Sequence, residues 1–482
     1  MEIQWNQSAC RYLERQLWDV QNLEQTQEVR LSEGMPDIGS IICAWGQCVL
    51  RSKEWRNDTV SVGGGVTVWV LYAPEDGSEP RTVEAWLPFQ GKWTLQDSQR
   101  EGVIRADACL RSVDARMLSA GKIMVRASVG LLTEALEPVE KNLYSPPELP
   151  EGVCLLQKTY PTVLPREAGE KQFTLEEQLS TPHGIPYKIL SCHLSPQITE
   201  QNVVGSRVVF RGECQVHLVY MNSDGRICTH IAELPIAQYV DLDMDYDKEA
   251  IVSVMMAVSS LEPEIREDGI WMSCGLICQY VIFDQQIITL TQDAYSPWQK
   301  ITATRQTLKL PMMLDQTERI LDVPMSQVPD ARQIVNTHIC VDHPTMFRQG
   351  DMLQGQVTGK TQTLYYDHED QLAAETEHWT QEWSLPAAEG SHIYAYLRPN
   401  GPEVEIKCLT VSGEEMPMIS GLQMGEKQEP DPTRPSLILR RMGNGSLWEL
   451  AKATGSTVEA IEKANQLTDE PEPDRMLLIP IC

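Results

Sequence analysis

Positive charge is in short supply: 40 lysines and arginines face 68 aspartates and glutamates in 482 residues, a formal charge of −28. Such a field repels phosphate backbones and anionic headgroups, which argues against nucleic acid and direct lipid binding. Long apolar runs are also missing. No stretch approaches the roughly 20 residues of a spanning helix, yet 42% hydrophobic content is too high for wholesale disorder. The opening residues show no basic segment followed by an apolar one, so no export signal and a cytoplasmic location are expected. The 13 cysteines lack paired spacing and sit in strand-like runs, among them Cys43, Cys48, Cys214, Cys274 and Cys278, which argues against a disulfide framework.

What the chain does have is repetition. Pro36 in EGMPDIGSIIC returns as Pro186 in HGIPYKILSC, 150 residues on, and again as Pro329 in SQVPDARQIV. VTVWVLYAPEDG carries Tyr72, CQVHLVYMNSDG carries Tyr220 and TQTLYYDHED carries Tyr365, at separations of 148 and 145. Tyr144-Ser145-Pro146 likewise returns as Tyr295-Ser296-Pro297. A period this long marks domain-sized copies and not a solenoid. Within the copies the period is 2. Cys214, Val216, Leu218 and Tyr220 share one face with Glu213, Gln215 and His217 opposite, and Val66, Val68, Val70 and Tyr72 repeat the apolar face. Pro74-Glu75-Asp76-Gly77 and Asn222-Ser223-Asp224-Gly225 supply the turns. The expectation is a mainly β chain of three repeated β-sandwich or barrel-like domains. One exception is expected at the start, where Tyr12, Leu13, Leu17, Val20 and Leu23 fall near one side of a helix, so residues 1–25 read as an amphipathic helix.

The C-terminal stretch changes character. EKQEPDPTRPS reads as a linker, LILRR as a strand, and Ser446-Leu447-Trp448-Glu449 and Ser456-Thr457-Val458-Glu459 as two capping boxes. Gly455 and Asn465 are expected to stop the two helices. Leu447, Leu450 and Ala451, then Val458, Ile461 and Ala464, are spaced to pack on a sheet of LILR and LLIPI, giving a small α+β module of βααβ order. From Arg434 to Cys482 six basic and seven acidic residues give −1, leaving −27 of the −28 to the repeats.

SLWELAKATGSTVEAIEKANQL with its following LLIP resembles the LysM module. The long repeat, with its proline-containing opening and VWVLYAPEDG-like hairpin, resembles the SPOCS domain of spore coat proteins, and several such copies ending in LysM resemble the SipL type of coat morphogenesis protein. That resemblance implies SPOCS-like domains at residues 26–160, 161–310 and a shortened 311–427, a linker at 428–435 and LysM at 436–482. It implies a non-enzymatic partner of the coat morphogenetic ATPase, SpoIVA, in the mother cell at the forespore surface, with no cofactor. LysM modules at large imply the alternative, a peptidoglycan or N-acetylglucosamine glycan. By the LysM pattern the groove is walled by Gly443, Asn444, Ser446, Leu447 and Trp448 on one side and by Asn465, Gln466 and Leu467 on the other. The first wall departs from the usual glycine-aspartate-serine/threonine-leucine run, and the second continues into TDEPEPDR, whose Asp469, Glu470, Glu472 and Asp474 favour a charged protein surface over a neutral sugar.

Other chemical motifs are incomplete. Thr358-Gly359-Lys360-Thr361 has the end of a phosphate-binding loop, but Gln354 stands where that loop needs glycine, and the run belongs to a strand. Gly63-Gly64-Gly65 has no helix after it and reads as a bulge or a tight approach at a strand start. Asp241, Asp243, Asp245 and Asp247 lack the glycine and glutamate of a calcium loop, whose positions hold Tyr246 and Val252, and period 2 puts them on one solvated face. His338, Cys340 and His343 lie close together, but no zinc pattern and no nucleophile elbow is present, so neither a metal nor an enzymatic activity is expected. Thiol labelling of the denatured chain should count the same cysteines with and without prior reduction; a reproducible deficit of two without reductant would contradict the reading of reduced, buried thiols.

Overall fold

The computed structural model describes residues 2–96, 101–324, 328–386, 392–400, 403–427 and 435–481. After a short β1 (Glu2–Gln4) come three units built to one plan. The first contains β2 (Asn6–Arg30), β3 (Ile38–Arg56), β4 (Thr59–Pro74), β5 (Arg81–Thr94), β6 (Val103–Ser119) and β7 (Lys122–Ser145). The second contains β8 (Cys154–Leu179), β9 (Pro186–Val203), β10 (Gly205–Asn222), β11 (Ile227–Tyr246), β12 (Ile251–Arg266) and β13 (Gly269–Tyr295). The third contains β14 (Gln299–Asp322), β15 (Ala331–Val341), β16 (Thr345–Gln349), β17 (Met352–Asp367), β18 (Leu372–Pro386), β19 (His392–Asn400) and β20 (Glu403–Lys427).

In each unit the inner strands make one antiparallel sheet and the outer strands another. These are β3-β4-β5 with β2-β7-β6, then β9-β10-β11 with β8-β13-β12, then β15 and β16 on β17 with β18, opposite β14-β20-β19. The third unit splits one strand into β15 and β16, which both pair with β17. Sheets on this plan, none closed into a barrel, are sandwich-like. In the first unit the face carrying Val66, Val68, Val70 and Tyr72 buries against Ile123, Val125, Ala127 and Val129 of the other sheet. The matching Cys214, Val216, Leu218 and Tyr220 are fully buried in the second. Tyr72 donates to the carbonyl of Pro36 at 3.0 Å, which ties the two landmarks of the first repeat together.

The triglycine run is a close approach. A side chain at Gly64 would meet the Val49 carbonyl at 2.2 Å, and one at Gly65 the Trp86 ring at 2.2 Å. Gly359 lies under Trp379 in the same way, 2.1 Å from where its Cβ would be, and Trp379 donates to Thr361 at 3.0 Å. The phosphate-loop-like TGKT is therefore interior sheet, with Lys360 itself buried. The four alternating aspartates are exposed, Asp241, Asp243 and Asp245 on β11 and Asp247 just past its end, with Leu242 and Tyr246 turned inward.

The expected N-terminal helix is overturned. Residues 8–25 belong to β2, paired along its length with β7 from Asn6↔Ser145 to Arg30↔Lys122. The apolar spacing suits a helix and lacks the alternation of a half-buried strand, but a partner strand more than a hundred residues away decides the outcome. The boundaries expected at 26, 161 and 311 accordingly fall inside β2, β8 and β14, and the expected linker at 428–435 lies, except for Pro435, outside the described residues.

The pair β2/β7, and its equivalents β8/β13 and β14/β20, run on past the third strand of their sheets. β6 stops pairing at Leu136 of β7, β12 at Phe283 of β13 and β19 at Val411 of β20. The three protruding ribbons bury their apolar faces against each other: Tyr12 and Cys10 from the first, Tyr160, Leu164, Ile288 and Leu290 from the second, Leu308, Leu310, Met416 and Met418 from the third. β1 joins the end of this assembly, pairing Ile3 with Leu422 of β20 and burying Trp5 in the same cluster as Ile419 and Met424.

A second centre joins the inner sheets. Trp45, His193 and His338 hold equivalent ladder positions, opposite Trp69, His217 and Gln362. The rings of His193 and His338 stack at 4.0 Å across the second and third units, and Trp69 of the first meets His193 edge-on at 5.6 Å. Burial, then the neighbouring His338 and His217, push the His193 imidazole well below its ordinary range. A depressed imidazole contributes fully above the unfolded value near 6.5 and loses that contribution as pH falls below it toward the lowered folded value. We expect His193→Phe to flatten the fall in unfolding free energy between pH 7 and pH 5 relative to the wild type; identical slopes in denaturant titrations would refute this.

Candidate functional site

The C-terminal module is β21 (Leu437–Arg441), α1 (Leu447–Thr454), α2 (Val458–Asn465) and β22 (Met476–Pro480), with β21 antiparallel to β22. Local chemistry builds it. Ser446 accepts from the Glu449 amide at 3.3 Å while Glu449 accepts from the Ser446 amide, a complete capping box. A side chain at Gly445 would strike the Glu449 carboxylate at 2.2 Å, so the box requires the glycine before it. Gly455 closes α1 with φ of 70°. The second helix differs from expectation by one residue at each end: Thr457 is its N-cap, accepting from the Ala460 amide at 3.1 Å, and Gln466 is its left-handed C-cap with φ of 53°. Asn465 remains helical because its side chain is engaged elsewhere, exchanging two hydrogen bonds with the backbone of Leu478 at 2.6 and 2.8 Å.

The structure divides the eight expected groove residues into two groups. Gly443, Asn444, Ser446 and Gln466 are exposed. Leu447 is buried in the module core beside Ala451, Ile461, Leu477 and Ile479, and Leu467 packs on that core. Asn465 is committed to β22. Trp448 is half-buried and faces the second unit of the repeats. The two walls are linked, since the Leu447 amide donates to the Glu470 carboxylate at 2.7 Å.

Trp448 belongs to a seat formed by the end of β13. Its Nε1 donates to Asp293 Oδ2 at 2.9 Å, and its ring meets Tyr295 edge-on at 4.7 Å. Lys452 donates to the same Asp293 oxygen at 2.5 Å, Arg305 of β14 reaches the other at 2.6 Å, and Tyr295 donates to the Ser456 carbonyl at 2.9 Å. Burial works to raise the Asp293 carboxyl, but the hydrogen bonds from Lys452 and Trp448 outweigh it and hold the group below its ordinary value. Sequence reasoning identified Trp448 and read Ser456 only as a helix cap, but missed Asp293 and Arg305. Tyr295 carried a signal, the repeat of Tyr144. Asp293 carried none, being 155 residues from Trp448.

The remaining titratable groups are structural in setting. Burial pushes the thiols of Cys43, Cys48, Cys109 and Cys192 well up, so they stay protonated and poorly nucleophilic at neutral pH. Eleven described cysteines are free. Among the described residues no helix is long and apolar enough to cross a membrane, and no cluster of three or more His, Cys, Asp or Glu is placed to hold a metal.

Residues 187–266 match the family model described as SipL, SPOCS domain. The match starts one residue into β9 and ends with the last residue of β12, so it covers the inner sheet of the second unit and one strand of its outer sheet. It relates this unit to sporulation proteins of the SipL kind. No curated protein and no solved structure matches the chain.

The seat makes a testable demand. Asp293→Ala removes the acceptor shared by Trp448 and Lys452, and charged hydrogen bonds of this type contribute roughly 1.5–3 kcal/mol. We expect at least about tenfold faster hydrogen exchange in α1 or faster proteolysis between the repeats and the module. Because the folded carboxyl is depressed, the wild-type seat should persist at neutral pH and weaken only as pH falls through that lowered value, below about 4. Unchanged exchange in the variant would show that the seat contributes nothing.

Proposed function

We propose that the chain is a non-enzymatic adaptor in endospore coat assembly, acting in the mother cell at the forespore surface, whose LysM-like module binds the coat morphogenetic ATPase of the SpoIVA type. The observation carrying this reading is the SipL, SPOCS domain match in the second unit, set in a chain whose first and third units repeat the same strand order. We read all three units as SPOCS domains on that ground. The repeats hold the module through Asp293 and Tyr295, an arrangement that suits a scaffold. No cofactor enters this function.

The partner surface we assign within the groove consists of the exposed Gly443, Asn444, Ser446 and Gln466, supported from beneath by Leu447, Trp448, Asn465 and Leu467. The loops are stiff because both are pinned, one by the capping box and the Glu470 bond, the other by Asn465 on β22. Asp469, Glu472 and Asp474 border this surface with exposed carboxylates, which complements a basic protein patch better than an uncharged glycan.

Asn444→Arg is the informative substitution, since an exposed loop residue tolerates replacement while the added bulk and charge obstruct the contact. We expect binding to the purified ATPase to fall at least about tenfold with the melting temperature unchanged. Normal ATPase binding by the variant, together with tight binding of peptidoglycan fragments by the wild type, would replace the adaptor reading with a glycan-binding one.

A further inference from the structure

The two edges and two faces of the module's small sheet are treated differently. Its inner face, Leu477 and Ile479 with the half-buried Ile438, packs on the helices. Its outer face is apolar as well and lies open: Leu439, 61% exposed, stands directly opposite Leu478, flanked by Leu437 and Met476, all exposed. An apolar residue standing alone on a surface is ordinary, but four adjoining on two paired five-residue strands are not.

The edges are as unequal as the faces. The Ile481 amide donates to the Ser436 carbonyl and the Met442 amide to the Arg475 carbonyl. Even-numbered residues of β21 therefore face β22, and the amides and carbonyls of Leu437, Leu439 and Arg441 point to the other side. On β22 the outward amide and carbonyl of Leu478 are both taken by the Asn465 side chain, which closes that edge. On β21 no strand among the described residues covers the corresponding edge. An uncovered edge carrying exposed leucines is a template for one more strand.

Charge selects the occupant. Arg440, Arg441 and Arg475 lie on or next to these two strands, and only Arg441 has an ion pair among the described residues, with Asp474 at 3.6 Å. This is a basic rim on a chain of net charge −28. We propose that the β21 edge is a second protein-docking surface that takes an extended partner strand alternating apolar and acidic residues, with the apolar side chains laid on Leu437, Leu439 and Leu478. The proposal rests on the module being protein-binding, but it uses a surface distinct from the groove loops.

The test uses the full chain and a synthetic peptide alternating valine and glutamate, about six residues long, an ordinary strand length. Hydrogen exchange at Leu437, Leu439 and Arg441 is expected to slow about tenfold at saturating peptide, with Leu478 unchanged behind Asn465. Leu439→Lys, an exposed replacement, should abolish the protection without lowering the melting temperature, and a valine–lysine peptide should give none. Three results overturn the proposal: no protection at saturation, equal protection by the lysine peptide, or protection that appears without peptide as the chain's own concentration rises, which would make a second copy the occupant. N-acetylglucosamine oligomers protecting residues 443–448 would count against the protein-binding reading of the module, and that arm is read separately from the peptide arm.

Discussion

The three protruding ribbons cannot be stable singly. A two-stranded ribbon has one face to bury and nothing of its own to bury it against. Among the described residues, β7 beyond Leu136 and β13 beyond Phe283 have no third strand, and β20 beyond Val411 gains only the short β1 at residues 421–423. Their apolar faces are satisfied only in company, through Tyr12 and Val139, Tyr160 and Ile288, Leu308 and Met416, cross-strand pairs contributed one by each unit. The units are therefore joined by a core that none contains alone, and the inner sheets are brought together far from it around His193 and Trp69. Burial of polar groups reinforces this unit-to-unit contact. Arg105 pairs with Glu134 in the first unit at full burial and also donates to Ser253 of the second, while Gln279 of the second exchanges two hydrogen bonds with the Ala106 backbone of the first. Such groups are costly to leave unpaired, so they disfavour any alternative docking of the same sheets.

The ribbon assembly also sets where the chain's two ends lie. The first and second ribbons end in equivalent tyrosines, Tyr144 and Tyr295, and these meet different caps. Tyr144 packs into the cluster that holds Ile3 and Trp5 of the N-terminal strand. Tyr295 packs on Trp448 and holds the Ser456 carbonyl of the module. Orientation of the module's exposed loops thus follows from the ribbon core through Asp293 and Tyr295, and the groove and the β21 edge are displayed by a body of three sandwiches and not by a loose tether.

Much of this could be read in advance, for reasons that differ by element. The inner strands carry period-2 faces and turn residues within short windows, and Val66 to Tyr72 and Cys214 to Tyr220 lie buried as that pattern requires. The first module helix was legible because Ser446 and Glu449 close its start within one turn and Gly455 stops it after eight residues, both by local chemistry. β2 was not legible: Tyr12 and Leu13 are adjacent and both buried, because one faces the shared ribbon core and the other a neighbouring cluster with Leu136 and Phe283. A strand covered on both faces loses its alternation, and the remaining spacing of leucines suited a helix. Trp448 was legible as a candidate but not its role, since the atoms that hold it come from another unit.

Repetition within one chain permits what three identical subunits could not build. At equivalent ladder positions the inner sheets present Trp45, His193 and His338, and three large indoles in that confined centre would overfill it. Divergence allows two smaller rings to stack where the second and third units meet, with Trp69 against their edge. The same freedom acts at the ribbon ends. An aspartate placed beside one of the two equivalent tyrosines creates a single seat for an indole and an ammonium, and so a single site for the module. In a symmetric trimer every such end would be alike, and one module could not be held in one defined orientation.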